Sequence, residues 1–335
     1  MPESLPAHLA TTRRGTALEA VVRGHVAVVD ASGMVVAGAG DPDNITTVRS
    51  CVKPLQALPF VRHAAGPLGA SSEELALACS SHSGEPVHVR GVLGLLRRIG
   101  LDEDALSCGP QPPMDQEAAA SILAAGERPG RIHNNCSGKH AGMLAVCAVR
   151  GWPIAGYAAA AHPLQGELRA TMGGLGGIDL DSAPAGIDGC GLPTFGVPLR
   201  TLGRMFAAAT ADAGFRRCQE AMSAHPHLVA GRGRFDTALL AAAGRDLTVK
   251  GGAAAVWVAV RRPRGPALAI KLEAGDQTAV PAIALAALQR LGWIGAAALE
   301  DAALGGFAHP TLRNWEGTAV GSITVEPAWI EGLAA

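Results

Sequence analysis

Aromatic side chains are scarce in this chain: one Tyr, six Phe and five Trp among 335 residues. Glycine and alanine are abundant instead, a mix that favours closely packed helices and tight turns and says little about chemistry. An excess of one charge is also missing. Lys and Arg number 28 against 29 Asp and Glu, for a formal net charge of −1. That balance argues against a protein built to hold nucleic acid or an anionic membrane. Long apolar runs are absent too. The longest, Ala141–Val149 and Ala279–Leu288, fall far short of the ~20 residues of a membrane span. The opening residues, MPESLPAHLATTRRG, lack the apolar core of a secretory signal. A cytoplasmic protein is expected. Its seven cysteines, 51, 79, 108, 136, 147, 190 and 218, are an odd set without compact spacing, which reads as free thiols or metal ligands.

What is present begins with strand-like runs. Ala17–Val22, His25–Asp30 and Met34–Ala39 are rich in valine, with Arg23-Gly24 and Ala31-Ser32-Gly33 as candidate turns. Ala253–Arg261 and Pro266–Glu273 read as a second hairpin around Arg262–Gly265. Between these blocks the pattern is helical, with candidates at Ser50–Phe60, Ser72–Cys79, Val87–Ile99, Gln116–Ala125, Gly138–Arg150, Pro163–Met172, Leu199–Ala213 and Phe235–Ala243. A last helix is expected over Ala279–Leu291. The chain therefore reads as a single α/β (α+β) domain. A sheet subdomain, about 1–60 plus 235–335, is made by both chain ends, and a helical subdomain, about 61–234, is inserted between them.

Chemistry concentrates in four polar clusters. In Arg49-Ser50-Cys51-Val52-Lys53-Pro54, helical spacing brings Ser50 and Lys53 onto one face. A serine is a poor nucleophile unless a base accepts its proton, and a neutral lysine can be that base. Taken alone, S-x-x-K also describes a solvated lysine one turn beyond an N-cap. Cys79-Ser80-Ser81-His82-Ser83-Gly84-Glu85 offers further hydroxyls and an imidazole, in a segment that could equally be a helix-ending turn. His133-Asn134-Asn135-Cys136-Ser137-Gly138-Lys139-His140 leads into an apolar helix, and Cys136 and His140 have the i, i+4 spacing of two metal ligands. Asp188 and Cys190 lie among glycines in Gly186–Pro193, which lets the backbone bring both toward a ligand or simply makes a turn. Lys271 interrupts the apolar run Ala267–Ile270, pointing either to water or into a site.

Together these segments resemble the class 3, Rhizobium-type L-asparaginases, the asparaginase II family. The matching stretches are RSCVKPLQALP at 49–59, CSSHSGEP at 79–86, HNNCSGKHAGML at 133–144, GIDGCGLPTF at 186–195, GRFDTALL at 233–240, KGGAAAV at 250–256 and ALAIKLEAGD at 267–276. The resemblance implies a fold similar to serine β-lactamases and penicillin-binding enzymes, and hydrolysis of L-asparagine to L-aspartate and ammonia. It implies two serine–lysine pairs, Ser50 with Lys53 and Ser81 with Lys271. It also implies a zinc ion held by Cys136, Lys139 and Cys190, which moves His140 to the substrate shell with Arg49 and Asp188. In this reading Asp188 takes the substrate's α-amino group and Arg49 its carboxylate. Ser50 is the expected acylated residue because it opens a helix, and a homodimer is expected. A β-lactam or peptide hydrolase of the same fold is the alternative, although the strand reads A-I-K-L-E where penicillin-type enzymes carry K-T-G. A zinc-holding amino-acid-binding protein without catalysis is the second alternative.

Overall fold

The computed structural model describes residues 5–333. It is a mixed α/β molecule around a curled antiparallel sheet. The sheet contains β1 (Ala7–Arg14), β2 (Ala17–Val29), β3 (Val35–Ala39), β7 (Leu247–Gly252), β8 (Val256–Arg261), β9 (Ala267–Leu272), β10 (Thr311–Arg313) and β11 (Ala319–Val325). The order is β10-β11-β1-β2-β9-β8-β7, with β3 also on β2. β4 (Ile45–Thr47), β5 (Ala185–Ile187) and β6 (Pro193–Pro198) form a small separate sheet in the order β4-β6-β5.

The sheet is thus closed by strands from both ends of the sequence. β1 pairs with β11, setting Ala10 opposite Val325, and β2 pairs with β9, setting His25 opposite Lys271. Its inner strands are apolar and fully buried: Val26–Val29, Val258–Val260 and Ala267–Ile270 are at most 1 % exposed. The helix Leu199–Ala209 packs on β2, β8 and β9. Gly203 lets it approach, since a Cβ there would meet the Val29 side chain at 2.8 Å.

Two expectations are corrected here. Arg23-Gly24 is no hairpin turn; β2 runs straight through it. Gly24 is required because β9 passes close by: a Cβ would lie 2.4 Å from the Lys271 carbonyl oxygen. The expected helix Ser50–Phe60 is broken into a 3₁₀ turn, Arg49–Val52, a short α-helix, Lys53–Gln56, and a π-helical turn, Phe60–Ala64. Pro54 and Pro59, which lack N–H donors, fall inside that stretch. Most other helices lie where the periodicity sets them. Examples are Ser72–Ala78, capped by a Ser71–Glu74 capping box, and Ser137–Arg150, which ends at Gly151 in the left-handed region.

Candidate active site

The segment after the helix Ser72–Ala78 is fixed by hydrogen bonds to its surroundings. Ser81 N donates to the Val229 carbonyl at 2.9 Å and Ser83 Oγ to the Ala230 carbonyl at 2.8 Å, while His82 Nε2 lies 2.9 Å from Ser137 Oγ. These contacts hold Ser81 at the edge of a cavity of about 260 Å³. Ser50, Asn135, Arg234, Asp236 and Trp257 also line it.

Two lysines converge on Ser81. Lys53 Nζ and Lys250 Nζ each lie 2.9 Å from its Oγ. Lys53 Nζ also donates to the Ser80 carbonyl at 2.7 Å and the Asn135 carbonyl at 3.2 Å, and Lys250 Nζ to the Gly251 carbonyl at 2.7 Å. Both side chains are buried, at 0 % and 1 % residue exposure. Burial disfavours an ammonium ion. It lowers Lys53 below the usual lysine range, helped by Lys139 and opposed by the Cys136 and Cys190 sulfurs. It lowers Lys250 to about 8, with Asp236 opposing and the Lys53 charge reinforcing the shift.

The expected pairings therefore change partners. Lys53 reaches past Ser50 to Ser81, because the carbonyls of Ser80 and Asn135 receive its remaining donors there. The lysine that reaches Ser81 from the sheet is Lys250, on β7, not Lys271. Lys271 Nζ donates to the Ala254 carbonyl at 2.6 Å. Ala254 and Ala255 both have positive φ, 57° and 54°, a conformation that costs a non-glycine residue roughly 1 kcal/mol or more. Lys271 thus ties down the strained β7–β8 turn at the cavity wall.

Ser50, on the 3₁₀ turn, also lines the cavity. Gly252 presses against that turn: an added Cβ would lie 3.1 Å from Cys51 N and 3.3 Å from Ser50 N. The neighbouring Cys51 is buried, and its thiol donates to the carbonyls of Lys250 at 3.2 Å and Val256 at 3.3 Å. Burial pushes its pKa up, so it is a pin between the turn and the sheet and no rival nucleophile.

Asp236 fixes the far wall. It accepts from Gly251 N at 2.7 Å and from Trp257 Nε1 at 3.0 Å, and it lies 3.9 Å from Lys250 Nζ. Sequence reasoning passed over both Asp236 and Lys250. The signal available for Lys250 was its position closing a β-run immediately before two glycines, where backbone or ligand approaches closely.

Beside the two lysines lies a buried thiol cluster. Lys139 Nζ is 3.2 Å from Cys190 Sγ. Cys190 also shares a hydrogen bond with Cys136, which holds Cys136 well below the usual thiol range and pushes Cys190 above it. For Lys139, burial favours the neutral amine, but the two sulfurs outweigh it and raise its pKa. The two sulfurs are of the kind that zinc takes, and Lys139 could join them only as the neutral amine, by giving up its proton on binding. His140 is fully buried behind them, its Nδ1 2.6 Å from Tyr157 Oη. Tyr157 Oη also accepts from Ser107 N at 2.8 Å. His140 Nε2 is buried without a protein partner. Arg49 and Asp188, expected to take opposite ends of the substrate, are bonded to one another: Arg49 Nε and Nη2 lie 3.0 and 2.8 Å from Asp188 Oδ1. Arg49 does so from positive φ, 45°.

The family model of L-asparaginase II matches residues 10–325, nearly the whole chain. The chain belongs to that family. This asparaginase is accordingly an amidohydrolase acting on asparagine, a small-molecule substrate. A search of curated proteins found no match. Among the asparaginase's described residues, no helix is long and apolar enough to cross a membrane.

Proposed function

We propose that this asparaginase hydrolyses L-asparagine to L-aspartate and ammonia through a covalent intermediate on Ser81. The observation that carries the reading is the pair of buried lysine amines against one hydroxyl at the rim of a cavity. The Lys53 charge is among the influences, after burial, that lower Lys250. With Lys250 neutral and Lys53 protonated, the neutral amine accepts the Ser81 proton as Oγ attacks the side-chain amide carbon. The protonated neighbour steadies the oxygen as its charge develops. The accepted proton passes to the departing nitrogen, and ammonia leaves as the C–N bond breaks. Water then cleaves the acyl ester by the reverse proton route, giving aspartate and free Ser81. Ser50, which also lines the cavity, is proposed as an oxyanion or water contact instead of the acylated residue.

Cys136, Lys139 and Cys190 would hold zinc. Bound there, the ion would supply a Lewis acid beside the site. Asp188, kept in place by Arg49, is proposed to accept the substrate's α-ammonium, with His140 as a further member of that shell. Lys271 acts only through the Ala254 turn.

The sheet from both chain ends and the helices inserted between them support the serine β-lactamase-like reading of the fold. They also support the division into a sheet subdomain (1–60 plus 235–335) and a helical subdomain (61–234). A cytoplasmic homodimer remains part of the proposal, and sedimentation equilibrium tests the dimer.

A coupled assay of ammonia release tests the function. Asparagine should release ammonia and aspartate in equal amounts, with glutamine slower and nitrocefin untouched. Nitrocefin turnover without ammonia from asparagine would transfer the site to β-lactam chemistry.

A further inference from the structure

Two arginines flank Gly233, and the structure treats them differently. Arg232 is surrounded by acids. It pairs with Glu117, and its Nε and Nη2 lie 3.7 Å from Asp115 Oδ2 and 3.8 Å from Glu85 Oε2. Arg234, two residues on, lines the cavity that Ser81 opens into. Among the described residues no carboxylate lies within ion-pair distance of it, and its one side-chain hydrogen bond is to Met114 Sδ at 3.4 Å. A thioether is a weak acceptor that leaves most of a guanidinium's five donors unused. The nearest acid in sequence, Asp236, has both oxygens committed to Gly251 N and Trp257 Nε1.

The position of Arg234 is well defined. It immediately precedes the helix Phe235–Ala243, whose first turn is anchored to β7 through Asp236. Its charge also acts on Lys250, as one of the lesser contributions, after burial, that lower the lysine. The guanidinium is therefore close to the lysine that touches Ser81, on the wall of the same cavity.

We propose that Arg234 is the specificity residue that binds the substrate's α-carboxylate. This rests on Ser81 being the reacting centre of an asparaginase, and it relieves Arg49 of the role, since Arg49 is already bonded to Asp188. A planar guanidinium matches a carboxylate with two parallel hydrogen bonds. A carboxylate arriving in this cavity finds the charge partner and the donors that the protein itself leaves unused. The cavity then selects small amides that carry an anionic group, and it discriminates against the same amide with that group neutralised.

The test compares L-asparagine with L-asparaginamide, which keeps the side-chain amide and replaces the carboxylate with a neutral carboxamide. Arg234→Gln should raise KM for asparagine about tenfold or more with kcat changed much less, because uniform binding is lost. Turnover of asparaginamide should change by less than about twofold, since that substrate has no charge to lose. Arg234→Lys keeps the charge without the planar fork and should fall between; it also carries the test should Arg234→Gln not fold. An equal loss on both substrates would reduce Arg234 to a structural part of the wall, and an unchanged KM for asparagine would remove it from recognition. Either result leaves the asparaginase reading intact if the wild type still releases ammonia. If the wild type releases none, that reading falls, and calorimetry of succinamate against succinamide still decides the arginine's role. Tighter binding of succinamate to wild type, lost in Arg234→Gln, supports carboxylate capture; no preference overturns it.

Discussion

Ser81 and Lys250 lie 169 residues apart in sequence and 2.9 Å apart in space. The loop after a helix supplies the hydroxyl, and the last residues of a sheet strand supply the amine. Lys53 completes the arrangement from a third element at the same distance. Both amines thus meet one oxygen, the arrangement on which the proposed role of Ser81 rests.

Ser81→Ala should abolish ammonia release, by at least ~10³-fold in kcat, as loss of a nucleophile does. Ser50→Ala should retain measurable turnover. A steady-state comparison of the two variants at saturating asparagine decides between the serines. Wild-type rates from Ser81→Ala would return the acylation to Ser50.

The lysines set the pH dependence. Burial first, and the Lys53 charge among the lesser causes, bring Lys250 down to about 8. The base is the deprotonated form, so kcat/KM should be low at pH 6, rise through pH 8 and level off on the alkaline side. Lys250→Arg stays charged throughout that range and should be inactive at every pH. A profile that falls between pH 7 and 9 would exclude a lysine base.

Asp236 counters the shift in Lys250, since its carboxylate favours the ammonium 3.9 Å away. Asp236→Asn removes that charge. The rising limb of the pH profile should move to lower pH, by up to about one unit. An asparagine has only one acceptor oxygen for Gly251 N and Trp257 Nε1, so one buried donor is left unmatched. A loss of about 1–3 kcal/mol in urea unfolding is expected alongside the pH shift.

Metal analysis tests the thiol cluster without recourse to activity. The purified protein should carry close to one zinc per chain, and Cys136→Ser or Cys190→Ser should lose most of it. His140→Ala should keep the metal, because Cys136, Lys139 and Cys190 are the proposed ligands and the imidazole belongs to the proposed substrate shell. Equal zinc loss in that variant would make the imidazole a ligand.

The segments that carry the site were legible in the sequence, but their partners were less so. The clusters around Ser50, Ser81, Cys136 and Cys190 stand out because they interrupt an otherwise apolar, lightly charged chain, whereas spacing alone pairs Cys136 with His140 and only the family resemblance brings in Lys139. Lys250 does not stand out, since Leu247–Gly252 shows no alternation and nothing marks the lysine as 1 % exposed. Lys271 drew attention for the opposite reason: it breaks a uniformly apolar strand. Alternation along a strand says that two lysines face one side or the other, not which one meets a given serine. The choice was made by register, with β7 ending against the Ser50 turn and Lys271 lying opposite His25. The first strand was missed because AHLATTRR is mostly polar or small, and its partners, β2 and β11, lie on either side in the sheet.

A sheet shared between the two chain ends has a consequence for biosynthesis. At ~5–20 residues per second, Ser81 leaves the ribosome roughly 10–30 s before Lys250. Closure of β1 against β11 must wait longer still, for the last strand of the sheet. Late in that interval the nascent polypeptide carries Ser50, Ser81, Cys136 and Cys190 before β7 to β11 have been made to complete the sheet. Its thiols are open to oxidation and its unpaired strand edges to neighbouring chains. Catalytic competence therefore arrives only at the end of synthesis, and the yield of active enzyme should depend on chaperone supply and thiol reduction during translation.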